Sequence, residues 1–189
     1  MKKVVIVVSG PPGAGSTTIA KGLAKKLKLK YFSAGKLHKQ FFKNWKKEEA
    51  KAALEIWKTP VGASEKTHKE RDALIVKIAK KGGVVICAKL GIHFLKKISR
   101  YKIWLDVPLK TRAERSAERD KIPVEEAEKE ISERGKLERE NWKRIYGFDY
   151  LEQKKDADFV IDSSGLKPKQ KKETPTDLKF LPPARAGVD

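Results

Sequence analysis

Cysteine is almost absent from this chain of 189 residues, which holds Cys87 alone, inside an apolar run. A single cysteine excludes a disulfide framework and agrees with a reducing compartment, so we expect a cytoplasmic protein. The three histidines, His38, His68 and His93, are dispersed and have no cysteine or carboxylate partner at ligand spacing. The pattern therefore predicts no structural metal site.

Long hydrophobic runs are also lacking. No segment is long enough to cross a bilayer, and we expect no membrane partner. The apolar run at the amino end covers residues 4–8 and stops at Ser9-Gly10-Pro11. A secretory signal has a longer apolar stretch and a small-residue cleavage site. The run is therefore interpreted as a buried strand.

Acidic residues are scarce relative to basic ones. Asp and Glu number 25 against 44 Lys and Arg, which gives a net charge of +19. Such a field favours polyanions, so we expect RNA or the ribosome as a partner in preference to an anionic membrane surface. Heat adaptation is the alternative explanation, but it raises Lys and Glu together and leaves the imbalance unexplained.

Short apolar runs alternate with longer charged stretches of helical spacing. The runs lie at residues 4–8, 31–32, 84–87, 103–105 and 159–161. This alternation predicts an α/β fold, a parallel sheet with helices on both faces. In the helical stretch that Gly82-Gly83 ends, we expect a buried face made of Ala73, Val76, Ile78 and Ala79.

The composition shifts near residue 164. We predict one domain over residues 1–164 and a basic, proline-containing extended tail over residues 165–189. The tail is either a disordered linker or an arm that orders on nucleic acid, and the charge favours the arm. Its candidate RNA-binding residues are Lys167, Lys169, Lys171 and Lys172.

Residues 10–18 form a phosphate-loop pattern between the first apolar run and a helical stretch, which is the context that the motif requires. The predicted phosphate-binding residues are Gly10, Gly13, Ala14, Gly15, Ser16, Thr17 and Thr18. The glycines let backbone N–H groups point at phosphate oxygens, and the helix start adds its positive dipole end. A tight glycine turn alone would explain one glycine but not the whole pattern.

Ser16 occupies the position of the usual loop lysine. A serine can donate a hydrogen bond but cannot neutralise the charge that shifts during phosphoryl transfer. Thr17 stands where a hydroxyl meets Mg²⁺. Asp106, after the fourth predicted strand, is a second candidate for ordering Mg²⁺ and could equally cap the next turn.

From residue 1 to about 164, the chain resembles the archaeal cytidylate kinases, a branch of the nucleoside-monophosphate kinases. The resemblance is carried by residues 10–18, 31–35, 102–109, 112–115, 122–127, 145–149 and 158–162. It implies a P-loop NTPase three-layer sandwich with a five-stranded parallel sheet, a helical insert that binds the monophosphate, and a lid. It also implies transfer of phosphate from ATP to CMP or dCMP with Mg²⁺, and it makes a hydroxyl residue at Ser16 tolerable.

Three acceptor-side arginines of the resembled family are replaced here. Lys39, Leu74 and Lys89 stand at those positions. A guanidinium gives bidentate contacts that lysine does not reproduce, so these changes argue for weakened catalysis. The arginines retained as catalytic candidates are Arg119, Arg134 and Arg139.

The predicted insert interleaves lysines with aromatics. Its candidate RNA-binding residues are Lys36, Lys43, Lys46 and Lys47, which lie beside Phe41, Phe42 and Trp45. Basic residues among aromatics suit backbone contacts and base stacking on RNA. The competing interpretation places the aromatics in the core and the lysines on a solvated face.

Three functions remain open at the level of sequence. The first is a kinase-like fold with weakened or lost chemistry that binds RNA or the ribosome. The second is an active CMP kinase that uses ATP and Mg²⁺, and the third is a nucleotide-gated ribosome assembly factor. We favour the first, and we expect a monomer.

Overall fold

Five parallel strands form one sheet in the order β2-β3-β1-β4-β5. The computed structural model describes residues 4–40 and 49–165. The strands are β1 Val5–Ser9, β2 Lys30–Ser33, β3 Val84–Cys87, β4 Tyr101–Leu105 and β5 Phe159–Ile161. Each coincides with one of the predicted apolar runs, so the predicted five-stranded parallel sheet is confirmed.

Helices separate the strands along the chain. They are α1 Ser16–Lys26, α2 Ala34–Gln40, α3 Glu49–Lys58, α4 Glu65–Lys80, α5 Gly91–Leu95, α6 Leu109–Asp120 and α7 Val124–Tyr146, followed by a 3-10 helix at Tyr150–Asp156. Within residues 4–40 and 49–165, none of these helices combines the length and the apolar composition needed to cross a bilayer. Residues 166–189 lie outside the described part, so the domain boundary near 164 stays a prediction.

The central strand β1 is buried on both faces and separates two apolar clusters. Ile6 and Val8 pack with Ile19 and Leu23 of α1 on one face. The alternate residues Val5 and Val7 pack with α4 on the other face, which also holds Trp104 and Trp142. This period-two alternation between two covered faces is the arrangement expected of a buried parallel sheet.

Helix α4 buries a different face from the one predicted. Ala73 is exposed, whereas His68, Arg71, Asp72, Ile75 and Ala79 are buried. Arg71 Nε donates to Asp72 Oδ1 at 3.0 Å, so the two buried charges neutralise each other. Hydrophobic spacing cannot reveal a helix face that buries an ion pair, and this is why the predicted face was wrong for Ala73.

The carboxyl ends of β2, β3 and β1 meet at one edge of the sheet. Ser33 is in register with Cys87, and Cys87 with Val8. The segments that follow these strands are residues 10–15, the start of α2 and residues 88–90. The topology therefore brings the phosphate loop and the acceptor-side positions to one edge, where ligands bind in open α/β sheets.

Candidate active site

A cleft of about 710 Å³ opens at this edge of the sheet. Its floor is the whole phosphate loop, residues 10–18, and its walls come from the segment after β2, from α3, from the segment after β3, and from α6 and α7. Ser33, Trp57 and Ala88 are among the wall residues. The cleft therefore brings together the phosphate loop and a wall that carries the predicted acceptor-side residue Lys89, which we call the acceptor wall.

The phosphate loop has the backbone geometry of an anion cradle. Gly13 has φ +80°, a left-handed conformation that side chains strain, and a Cβ there would lie 3.0 Å from Arg112 Cβ. At Gly10 a Cβ would lie 2.9 Å from the Leu105 carbonyl oxygen. Only glycine fits at these two positions, and α1 begins at Ser16 with its N–H groups toward the loop.

Two arginines of α6 support the loop from behind. Arg112 Nη1 donates to the Pro12 carbonyl at 2.9 Å, and its Nε donates to the Val107 carbonyl at 3.0 Å. Arg115 Nη1 reaches the Ala14 carbonyl at 3.5 Å. These contacts hold loop carbonyls against α6, and they place two guanidinium charges under the phosphate-binding backbone.

Cations from several elements surround the cleft, although the loop itself has no lysine. The cationic lining residues are Lys21, Lys36, Lys89, Arg115, Arg119 and Arg134. Glu118 is the acidic residue that lines the same cleft among the described residues. The positive charge missing at Ser16 is therefore distributed over neighbouring elements, and Lys21 was missed because it lies beyond the motif.

A buried carboxylate joins two of these cations. Glu138, on α7, is 1% exposed, and its Oε1 accepts from Arg134 Nε at 2.8 Å. Its Oε2 accepts from Lys89 Nζ. The Lys89 carbonyl accepts from Gln153 Nε2 at 2.9 Å, so the lysine is held at both its backbone and its side chain. Glu138 thus fixes the position of both cations at the cleft wall.

The charges of this trio are coupled. Burial, together with the nearby Arg134 charge, lowers the pKa of Lys89 to about 7, against the opposing effect of Glu138. Burial alone would raise the pKa of Glu138, but Lys89 and Arg134 hold it below its ordinary value. The carboxylate therefore stays ionised, and Lys89 changes its charge near neutral pH.

A smaller cavity of about 100 Å³ lies beside the cleft and shares Lys89 and Arg134 with it. The buried pair Arg71 and Asp72 lines this cavity, and Tyr146 Oη donates to Asp72 Oδ2 at 2.5 Å. Burial, and after it the contact with Asp72, raises the pKa of Tyr146 well above its usual range, so the phenol keeps its proton. The cavity thus carries a fixed set of polar groups next to the acceptor wall.

The predicted site residues fall into two groups in the structure. Arg119 and Arg134 line the cleft, as does Lys36, which the sequence analysis had assigned to RNA. Leu74 is 37% exposed and lines neither cavity. Arg71, three residues earlier, supplies a guanidinium to the smaller cavity, and the sequence pattern gave no signal for it because its charge predicts a solvated side chain.

Arg139 and Asp106 lie away from both cavities. Arg139 Nε donates to Asp149 Oδ2 at 2.6 Å. Asp106 Oδ2 accepts from Lys154 Nζ at 2.6 Å. The structure therefore brings Thr17, but not Asp106, to the cleft.

Several predicted contacts lie outside the described side chains. Lys39 belongs to α2, but its side chain is not described. The candidate RNA-binding residues Lys43, Lys46, Lys47, Lys167, Lys169, Lys171 and Lys172 are outside the described residues. Their assignment to RNA stays a prediction.

The sequence comparisons agree on one family. The cytidylate kinase-like family matches residues 5–165. The cytidylate kinase of Pyrococcus horikoshii is 36% identical over 166 residues, which cover 88% of this chain and 83% of that protein. The cytidylate kinase of Ignicoccus hospitalis is 34% identical over 90% of this chain and 95% of its own. The chain belongs to the cytidylate kinase-like family.

Solved structures support the fold of this cytidylate kinase-like chain. A shikimate kinase from Bacteroides thetaiotaomicron has a TM-score of 0.60 at 16% identity, covering 94% of this chain and 98% of that one. A shikimate kinase from Acinetobacter baumannii, in complex with shikimate, also has a TM-score of 0.60, at 18% identity, covering 95% and 94%. These neighbours support the P-loop α/β fold.

The cleft fits the nucleotide and metal that the family implies. The glycine cradle leaves room for phosphate oxygens where a Cβ would intrude, and Thr17 presents a hydroxyl to the cleft. Mg²⁺ takes few protein ligands and keeps waters and substrate phosphates. Thr17, together with phosphate oxygens, would hold it. Among the described residues, no three His, Cys, Asp or Glu side chains are grouped to bind a metal ion by themselves.

Proposed function

We propose that this chain is an ATP-dependent kinase that phosphorylates CMP or dCMP. The observation that carries the proposal is that the phosphate loop, Lys89 and Arg134 all line the same cleft, whose volume is about 710 Å³. The cytidylate kinase relatives supply the acceptor class. Phosphoryl transfer needs positioning and charge stabilisation more than covalent participation by the protein, and this cleft is built for both.

The loop and the cations divide the work. Backbone N–H groups of residues 13–17 bind the donor phosphates. The Thr17 hydroxyl would hold Mg²⁺, which when bound would neutralise charge on the transferred group. Lys89, oriented by Glu138, holds the acceptor phosphate. Arg134, oriented by the same carboxylate, stabilises the transferring phosphoryl group with Arg119.

The smaller cavity is the proposed place for the acceptor base. Asp72 keeps a carboxylate beside Arg71, and Tyr146 fixes its orientation. A buried carboxylate and guanidinium together offer an acceptor and donors to the polar edge of a pyrimidine. Leu74 cannot supply the guanidinium expected at its position. Arg71, which lines the smaller cavity, supplies one in its place.

The interpretation favoured from the sequence was a kinase-like fold with weakened or lost chemistry that binds RNA or the ribosome. Besides the net charge and the basic tail, it depended on the loss of acceptor arginines at Lys39, Leu74 and Lys89. Lys36, Arg71 and Lys89 provide cations around the acceptor side of the two cavities. This arrangement supports retained chemistry over its loss. The nucleotide-gated assembly factor stays a prediction.

A coupled assay of ADP formation tests the proposal. With ATP and Mg²⁺, CMP or dCMP should stimulate ADP formation strongly, and AMP and shikimate should not. The Gly13→Ala variant, which crowds the cradle, serves as the matched control for contaminating kinases. A folded wild-type protein whose ADP formation does not depend on any nucleoside monophosphate would overturn the proposal.

A further inference from the structure

Six exposed lysines meet at the amino-terminal edge of the sheet, opposite the cleft. They come from the end of α1, the start of β2 and the end of α4, and we call them the basic rim: Lys25, Lys26, Lys28, Lys30, Lys80 and Lys81. Lys30 N donates to the Gly83 carbonyl at 3.0 Å, and Lys30 is in register with Val84. The start of β2 is therefore adjacent to the segment that follows α4. Helices α1 and α4 pack on opposite faces, and their ends bracket this edge.

The sequence around the basic rim lacks carboxylates altogether. Residues 1–47 contain 12 lysines and no Asp or Glu, and residues 73–105 contain eight basic residues and no Asp or Glu. Among the described residues, none of the six rim lysines forms an ion pair, whereas Lys96 and Lys102 pair with Asp156 and Asp158. The rim is therefore an uncompensated cationic surface.

Lys28 adds an independent observation. It has φ +54° in the left-handed region, just after α1. Lys28 N donates to the Lys25 carbonyl at 3.3 Å and Leu29 N to the Ala24 carbonyl at 2.9 Å, which is a Schellman ending. Glycine is the residue that adopts this conformation without strain. A lysine in its place keeps a cation at the rim at the expense of backbone strain.

The chemistry of the rim favours RNA over the other anionic partners. Lysine is depleted in the core of protein–protein interfaces, so six lysines are a poor docking surface for an acidic protein. Membrane binding requires a broad apolar face beside the cations. At this edge the exposed large apolar side chains among the described residues are Val4 and Leu27, 41% and 37% exposed, and two such side chains do not make an apolar face. Lysines that neutralise phosphates suffice for sequence-independent nucleic-acid binding.

We propose that the basic rim binds the phosphodiester backbone of RNA, without reading its sequence, at the edge opposite the nucleotide cleft. This proposal does not depend on kinase activity. It also differs from the predicted contacts in the insert and the tail, because all six rim lysines lie at or just beyond the described ends of α1 and α4 and at the start of β2.

Fluorescence anisotropy with a labelled 20-nucleotide oligouridine RNA and the full chain tests it. The rim variant K25Q/K26Q/K80Q/K81Q is compared with K110Q/K129Q/K143Q/K155Q, which removes the same charge from exposed sites on and after α6 and α7. The rim variant should lower the slope of log affinity against log salt by about 3, since each single-strand contact contributes about 0.7. The control variant should keep the wild-type slope.

Lys28→Gly separates binding from folding. It removes one contact and relieves the strained backbone, so we expect a salt slope lower by about 0.7 together with a higher urea midpoint. Equal losses in the rim and control variants would show a net-charge effect and overturn the proposal. So would rim-dependent binding to phosphatidylserine vesicles without binding to the RNA.

Discussion

Replacing Glu138 by Gln should damage both stability and catalysis, because this buried carboxylate holds two cations. Its oxygens accept from Arg134 Nε at 2.8 Å and from Lys89 Nζ. Removing one member of a buried ion pair costs about 3–5 kcal/mol when the remaining charge stays uncompensated. The amide of Gln can still accept one hydrogen bond, so we place the cost at about 3 kcal/mol near pH 6.

The loss of folding free energy caused by Glu138→Gln should become smaller as the pH rises. Burial lowers the pKa of Lys89 from 10.5 to about 7. Between these values the folded chain binds fewer protons than the unfolded chain, so this lysine makes stability increase with pH across that window. Above about pH 8 Lys89 is largely neutral, and E138Q then leaves only Arg134 uncompensated, at about 2 kcal/mol.

Urea unfolding followed by tryptophan fluorescence measures the loss of stability of E138Q near pH 6 and above pH 8. Steady-state kinetics measures the effect of misplacing Lys89 and Arg134. Loss of orientation of Lys89 and Arg134 should lower kcat/KM for CMP about 100-fold. Glu140→Gln, on the same helix with an exposed carboxylate, is the matched control and should change stability by less than about 0.5 kcal/mol. If E138Q behaves like E140Q in both assays, the proposed role of Glu138 is wrong.

Three further variants test the remaining parts of the site. Because the pKa of Lys89 is about 7, we expect KM for CMP of the wild type to rise as the pH passes through that value. Lys89→Arg keeps a positive charge at all pH values, so a pH series of initial rates should show a flatter rise for this variant. Gly13 has φ +80° and lies against Arg112, so Gly13→Ala should lower the free energy of unfolding by about 1–2 kcal/mol. It should also weaken ATP binding measured by calorimetry. A normal ATP affinity would contradict the role of Gly13 in phosphate binding. Tyr146→Phe leaves Asp72 without its hydroxyl donor, so we expect KM for CMP to rise more than KM for ATP. The lost hydrogen bond should also lower the free energy of unfolding in urea by about 1 kcal/mol. An equal effect on both KM values would argue against a base site beside Asp72.

The sheet and the phosphate loop were predictable because their signals are local. Apolar runs mark buried strands, and the glycine spacing of residues 10–18 marks the cradle. Contacts between distant positions left no such signal: Glu138 meets Lys89 across 49 positions, and Asp106 meets Lys154 across 48. Motif position therefore suggested a metal role for Asp106 that its ion pair does not support, and it gave no indication of Glu138.

The buried polar face of α4 shows a second limit of sequence patterns. Arg71 and Asp72 would be assigned to solvent by their charges, yet they are 8% and 4% exposed because they satisfy each other. Lys36 was assigned to RNA because of its lysine-rich neighbourhood, and the structure places it at the cleft. For Arg71 and Asp72 the partner, not the residue type, decides where the side chain lies, and for Lys36 the position of α2 at the cleft does.

Direct detection of labelled CDP is the measurement that tests the central claim most directly, because it separates phosphoryl transfer from ATP hydrolysis. The wild-type chain is incubated with Mg²⁺, CMP and ATP labelled at the γ-phosphate, and the products are separated by chromatography. The account predicts that the label appears in CDP, and that Glu138→Gln slows its appearance while Glu140→Gln does not. Label that stays in ATP, or appears only as inorganic phosphate, would contradict it.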